Sequence, residues 1–122
     1  MDRTFLLIGA VAGFTGVTLG AFGAHALRGR LSPEMLIVFE TGVRYQMYHA
    51  LAIIATGLIA ARMGGWLIVA AGWLFTAGIV LFSGSLYLLA FTGVTILGAI
   101  TPIGGVAFLL GWACLAMAAA AM

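Results

Sequence analysis

Residues 63–122 read MGGWLIVAAGWLFTAGIVLFSGSLYLLAFTGVTILGAITPIGGVAFLLGWACLAMAAAAM and contain no Asp, Glu, Lys or Arg. A domain that folds in water needs a charged exterior, so this half of the chain must face an apolar surrounding. Its apolar runs are long enough for two helices to cross a bilayer. We therefore predict an integral membrane protein.

The composition of the whole chain agrees with this prediction. Of its 122 residues, 65% are hydrophobic and 7% are charged, whereas about a quarter are charged in soluble domains. The net charge of +2 comes from five basic and three acidic residues, too few and too scattered to attract nucleic acid. We expect one membrane domain over residues 1–122 that lies in a lipid bilayer and has no nucleic-acid partner.

Uncharged stretches predict four membrane spans, because a helix needs about 20 apolar residues to cross the hydrocarbon core. Gly64 and Gly65 separate the second span from the third, and Thr101 and Pro102 supply a capping hydroxyl and a first-turn proline for the fourth. A secretory signal is the alternative for the first span, since residues 24–26 resemble a cleavage site, but the apolar run before them is too long. The predicted spans cover about 4–24, 45–61, 66–90 and 102–121.

The polar stretch between the first two spans carries clear helix-start signals. Ser32 is a typical cap, Pro33 suits the first helical position, and Glu34 favours the positive end of the helix dipole. From there, apolar and polar residues fall on opposite sides of a helix. We predict an amphipathic interfacial helix at about 33–44, which continues into the second span or bends toward it at Gly42. The expected fold is an all-α, integral membrane four-helix bundle.

Small residues form two seams, one in the first span and one in the last. Such seams let helix backbones approach closely in lipid, where dispersion contacts provide the attraction. We predict that they pack the bundle together, and the alternative is that one of them faces a second copy or a larger membrane complex. The seam residues are Gly9, Gly13, Gly16, Gly20 and Gly23 in the first span and Gly104, Ala107, Gly111, Cys114 and Ala118 in the last.

Side chains that could carry chemistry gather around the polar stretch. Two histidines and a glutamate could bind a metal, and a histidine beside tyrosines could hold a quinone or a lipid head group. The competing interpretation is an interfacial belt of tyrosine and arginine with histidines that cap helix ends. HxxxH and CxxC spacings do not occur, and we expect no metal, cofactor or catalytic residue. The candidate polar cluster comprises His25, Arg28, Glu40, Arg44, Tyr45, Tyr48 and His49.

The third and fourth predicted spans offer few polar groups. They contain no Asp, Glu, His, Lys or Arg, which argues against a proton-coupled transporter or an ion channel that acts as a monomer. The hydroxyls of Ser83 and Ser85 are expected to bond across helices or back to carbonyls of their own helix. A serine nucleophile would need a nearby base, and His49 lies in the other half of the sequence. We expect no enzymatic activity.

Four ordered motifs resemble a family of small bacterial membrane proteins, the domain-of-unknown-function family numbered four-two-three, whose eukaryotic relatives are called transmembrane protein two-five-six. The resemblance extends over nearly the whole chain and implies a four-span, multi-pass protein of the inner membrane. It carries no established activity, cofactor or catalytic residue. The motifs are LGAFGAHAL at 19–27, FETGVRYQMYHA at 39–50, FSGSLY at 82–87 and TPIGG at 101–105 with Gly111-Trp112.

Two functional hypotheses follow from these patterns. The leading one is a non-catalytic structural or accessory protein that packs through its seams with itself or with a larger membrane complex. The other is a ligand-binding module in which the polar cluster holds a quinone, a lipid head group or a metal. A closed set of hydrogen bonds around Glu40, Arg44 and His49 would favour the first, and an open concavity would favour the second.

Overall fold

The computed structural model describes residues 3–122, and their regular structure is helical. The all-α prediction is therefore confirmed for this part of the chain. Three helices are long and apolar enough to cross a membrane, and the remaining helix has 30 residues. The helices are α1, Thr4–Leu27; α2, Pro33–Arg62; α3, Trp66–Thr92; and α4, Thr95–Ala120.

Helix α2 begins and ends where the sequence signals it. The Ser32 hydroxyl accepts a hydrogen bond from the Met35 backbone N–H at 3.1 Å, and Pro33 occupies the first turn. The chain reverses at Gly65, whose φ of 133° favours glycine. Helix α2 runs unbroken through Gly42, so of the two expected courses for the stretch 33–44 the structure has continuation into the second span and not a bend at Gly42. An interfacial position for this stretch is not confirmed. On this stretch Phe39 is buried, whereas Ile37 is exposed.

Helices α1 and α3 each contain one π-helical turn, Thr18–Gly23 and Ile79–Ser83 respectively. Both turns adjoin the same part of α2. A Cβ added at Gly20 would lie 2.9 Å from Val43, and the Ser83 hydroxyl donates to the Gly42 carbonyl at 2.7 Å. Turns of this kind insert one residue into a helix and re-aim the side chains that follow.

Helix α4 begins differently from the prediction. A left-handed Gly93 (φ 71°) ends α3, and a 3-10 segment, Thr95–Ala99, leads into the α-helical part of α4 at Thr101. Thr101 therefore lies inside the helix, and the prediction that it caps α4 is wrong. Its hydroxyl pairs with the Ser85 hydroxyl of α3 at 2.6 Å.

Helix contacts are concentrated between helices that are consecutive in the sequence. The α1 seam lies on α2, where Gly9 faces Ile54 and Gly16 faces Met47, although no atom lies within 4 Å of a Cβ added at Gly13. The two seams are thus largely filled by helices of the same chain, and a closed four-helix bundle is not confirmed. The α4 seam contacts α3 through Gly104 and Gly111, and its remaining members Ala107, Cys114 and Ala118 are half-buried.

Candidate functional site

Gln46 is a buried hydrogen-bonding centre on α2. Its amide nitrogen donates to the Ala12 carbonyl at 2.9 Å and to the Thr15 hydroxyl at 2.8 Å, both on α1. Its amide oxygen accepts from the Tyr87 hydroxyl of α3 at 2.6 Å. One side chain therefore joins three helices. Among apolar side chains such bonds hold the helices in one register, because water is not available as an alternative partner.

His49 lies one turn further along α2 and is only 4% exposed. Its Nε2 accepts a hydrogen bond from the Trp112 indole N–H at 3.1 Å. Because indole can only donate, the imidazole proton must reside on Nδ1, which donates to the Tyr45 carbonyl at 2.8 Å. The Phe108 ring stacks on the imidazole with centroids 3.6 Å apart. His49 is thus a neutral side chain whose two nitrogens are both engaged.

The other buried polar side chains of the helices are also paired. The Ser83 hydroxyl bonds across to α2, and the Ser85 hydroxyl bonds to the Phe82 carbonyl of its own helix at 2.9 Å as well as to Thr101. The prediction for these two serines is therefore confirmed. Within residues 3–122, every buried side-chain nitrogen and oxygen has a hydrogen-bond partner.

The predicted polar cluster separates into three places. Tyr45 and His49 pack inside, with rings 6.3 Å apart. His25 and Arg28 are exposed at the connection between α1 and α2. Gly23 of α1 faces Phe39, which stands ten residues before His49 on α2. Because His25 lies beyond Gly23, it is about 15 Å or more from His49 along the α2 axis. The other three members, Glu40, Arg44 and Tyr48, are exposed on the outer side of α2.

An open groove of about 410 Å³ lies beside His49 between α2 and α4, lined mainly by apolar side chains such as Phe82, Val106 and Leu109. It offers a ligand little polar recognition, because both nitrogens of His49 are already bonded. Over residues 3–122, no three His, Cys, Asp or Glu side chains are grouped so that they could hold a metal ion. The geometry favours packing over ligand capture.

Comparison with known proteins identifies the family. The family described as Protein of unknown function (DUF423) matches residues 19–105. The chain is 49% identical over 118 residues to the UPF0382 membrane protein YwdK of Bacillus subtilis, covering 96% of each. The chain belongs to the DUF423 family. It is also 49% identical over 119 residues to the UPF0382 membrane protein SERP0230 of Staphylococcus epidermidis, covering 95% of this chain and 94% of that protein.

Membership of the DUF423 family confirms the resemblance seen in the motifs and identifies a membrane protein of unknown function. No solved structure matches the chain. The family match includes Gln46, His49, Ser83 and Tyr87, whereas Trp112 lies beyond it. The hydrogen-bonding centre on α2 is thus within the part of the chain that defines the family.

Gln46 and Trp112, the hydrogen-bond donor to His49, were not among the predicted site residues. Gln46 falls in the same sequence motif as Tyr45 and His49. Its position as a single amide side chain at the start of an apolar run is the feature that could have indicated a buried hydrogen-bonding role. Trp112 is separated from His49 by 63 residues. Only its indole N–H, which seeks an acceptor when it lies among apolar groups, could have drawn attention to it.

The His49 geometry predicts a single neutral tautomer. We expect nitrogen NMR of the protein in lipid to show the proton on Nδ1 throughout the neutral pH range. Trp112→Phe keeps an aromatic ring but removes the donor to Nε2, and should produce a mixture of tautomers. Trp73→Phe is the matched control, because Trp73 packs on Phe5 instead. A predominant Nε2–H tautomer in the unmodified protein would contradict the assignment.

Proposed function

We propose that this chain is a four-span, multi-pass protein of the bacterial inner membrane with a structural or accessory role, and that α2 is its fourth crossing. The antiparallel register of α1 and α2 carries the proposal. Phe5 lies beside Gly57, Gly16 beside Met47, and Gly23 beside Phe39. Helix α2 therefore accompanies α1 along nearly its whole length, so a bilayer that α1 crosses must also contain α2.

The length of α2 supports this placement. Its 30 residues extend about 45 Å at 1.5 Å per residue, against a hydrocarbon core of about 30 Å. Its buried face is apolar except for hydrogen-bonded groups, as Ile53 and Thr56 illustrate. The stretch 33–44 then forms the end of a spanning helix, where an amphipathic pattern suits the passage from the interface into lipid.

The centres of the three apolar helices support a bilayer midplane near Met47 and His49. The middle of α1 is at Gly16, which faces Met47. The middle of α4 is at Phe108, which stacks on His49, and the middle of α3 is beside Gly78, which faces Phe108. Gln46 and His49 would then lie deep in lipid, where paired polar groups fix helix positions and unpaired ones are costly. Their complete pairing favours a structural role.

Counting the crossings tests the architecture. Four crossings place the two ends of the chain on the same side of the membrane, whereas three place them on opposite sides. We expect compartment-specific reporters fused at either end of the chain to give the same reading in intact cells. A third reporter inserted at Gly64, between α2 and α3, should give that reading as well, and one at Gly29 the opposite reading. Opposite readings from the two ends would overturn the proposal.

The structural or accessory role has its own test. Photoreactive residues placed on outer faces, at Phe14 of α1, Leu51 of α2 and Leu109 of α4, report what each face touches in the cell. All three side chains are more than 60% exposed. We expect at least one face to form protein adducts. Lipid adducts alone at every position would overturn the role and leave the four crossings intact.

A further inference from the structure

The outer face of α2 carries charge at a depth where lipid cannot hydrate it. Its exposed residues recur at helical spacing and form one stripe, which we call the α2 stripe. Most of its members are apolar, yet two are charged and stand one turn apart. The stripe comprises Ile37, Glu40, Arg44, Tyr48, Leu51, Ala55 and Leu58.

The depth of these two charged residues in the bilayer follows from the proposed fourth crossing by α2, on which this inference rests. Taking Tyr48 as the midplane level, Arg44 and Glu40 lie about 6 Å and 12 Å away along the axis, within the hydrocarbon half-thickness of about 15 Å. Charged groups inside the membrane normally face protein or water and are paired. An ion pair between Glu40 and Arg44 on the same helix would still present both side chains to acyl chains.

We propose that the α2 stripe is the interface between two copies of this chain, and that Arg44 of each copy pairs with Glu40 of the other. The stripe is self-complementary because it holds one acid and one base. In a two-fold dimer whose axis is normal to the membrane, both copies of α2 run parallel at equal depth. Side chains of both residues lean toward the N-terminal end of the helix, and Arg44 has the longer side chain, so its guanidinium can reach the partner's Glu40 carboxylate one turn away.

Other faces of the molecule offer no comparable argument. The seams of α1 and α4 are largely filled from within the chain. Away from their ends, those two helices expose apolar side chains that lipid itself can cover, as Phe14 and Leu109 illustrate, and threonine hydroxyls that bond to carbonyls of their own helix, such as Thr18. The α2 stripe alone combines exposure, opposite charges and depth among the described residues. A second copy supplies both missing counter-charges without any additional protein.

Charge-reversal substitutions in the two copies test the dimer. Two differently tagged forms of the full chain are co-expressed, extracted with surrounding lipid in nanodiscs, captured through one tag and probed for the other. We expect the unmodified pair to co-capture with the mass of two chains. Glu40→Arg paired with itself, and Arg44→Glu paired with itself, should each lose co-capture by about tenfold or more, because like charges then face each other.

The mixed pair provides the decisive readout. When one form carries Glu40→Arg and the other carries Arg44→Glu, opposite charges meet again and co-capture should recover. Recovery also shows that both variants fold. Glu34→Arg, an exposed charge change in the first turn of α2 and beyond the N-terminal end of the stripe, is the matched control and should leave co-capture unchanged. Single-chain mass for the unmodified protein, or no recovery in the mixed pair, would overturn the dimer. In the photocrosslinking experiment, protein adducts at Phe14 of α1 or Leu109 of α4 but not at Leu51 of α2 would overturn the dimer and leave the accessory role intact.

Discussion

Gly104→Ala is expected to destabilise the protein by about 3 kcal/mol, at the upper end of the cost of overpacking. Gly104 begins the seam of α4, and a Cβ built on it would lie 2.8 Å from the Phe82 Cα of α3. Backbone cannot rotate aside as a side chain can, so the two helices must separate along the seam. The dispersion contacts that hold helices together in lipid would be lost with the close approach.

Cys114 makes this effect measurable. It is the only cysteine in the chain, and it lies half-buried on the same seam. Thermal unfolding followed with a thiol-reactive fluorogenic dye should show a lower midpoint for Gly104→Ala, and SDS titration in mixed micelles should give the free energy. Gly105→Ala is the matched control, because its Cβ meets Phe82 only at 4.0 Å. Equal midpoints for the two variants would show that the seam is not tightly packed.

Gln46→Leu is expected to cost about 2–3 kcal/mol of stability, because it leaves the Tyr87 hydroxyl buried without its acceptor. Tyr87→Phe alone should cost about 1 kcal/mol, close to the value of one hydrogen bond between helices in a membrane. Both substitutions keep side chains of similar size. In the double variant no hydroxyl is stranded, so its cost should fall below the sum of the two by about 1 kcal/mol.

The double-mutant cycle is measured by SDS titration in mixed micelles. Thr41→Val is a suitable control, since the Thr41 hydroxyl bonds only to the Ile37 carbonyl of its own helix, at 2.8 Å. Its effect should stay within about 0.5 kcal/mol. Strict additivity of the Gln46 and Tyr87 substitutions would indicate that their contact contributes nothing to the junction between α2 and α3.

The sequence predicts the apolar helices well, because a bilayer imposes a length on each helix and a charge marks its end. The third predicted span, 66–90, differs from α3 by two residues at its end. The interfacial position of 33–44 has weaker support, because it takes the first charged residues as the edge of the membrane. Nothing between Pro33 and Arg62 breaks a helix, so local propensity carries α2 through the change from polar to apolar composition.

The candidate site was only partly predictable. Spacing along one helix identified Tyr45 and His49 as neighbours, since they are four residues apart. The partners of Gln46 lie 31 to 41 residues away in sequence, and their contacts depend on how α1 and α3 are turned toward α2. Each π-helical turn shifts the helical phase by one residue, which periodicity alone does not reveal. Long-range pairings therefore required the structure.

Because contacts are concentrated between helices that are consecutive in the sequence, assembly can follow the order of synthesis. The amide oxygen of Gln46 and the Nε2 of His49 are made early, whereas their donors, Tyr87 and Trp112, emerge from the ribosome 41 and 63 residues later. In the four-span arrangement the nascent α1–α2 pair therefore enters the bilayer with two acceptors still open. During that interval the insertion machinery or residual water must supply hydrogen-bond donors to these two acceptors. Once α4 is complete, Tyr87 and Trp112 supply the donors and this requirement ends.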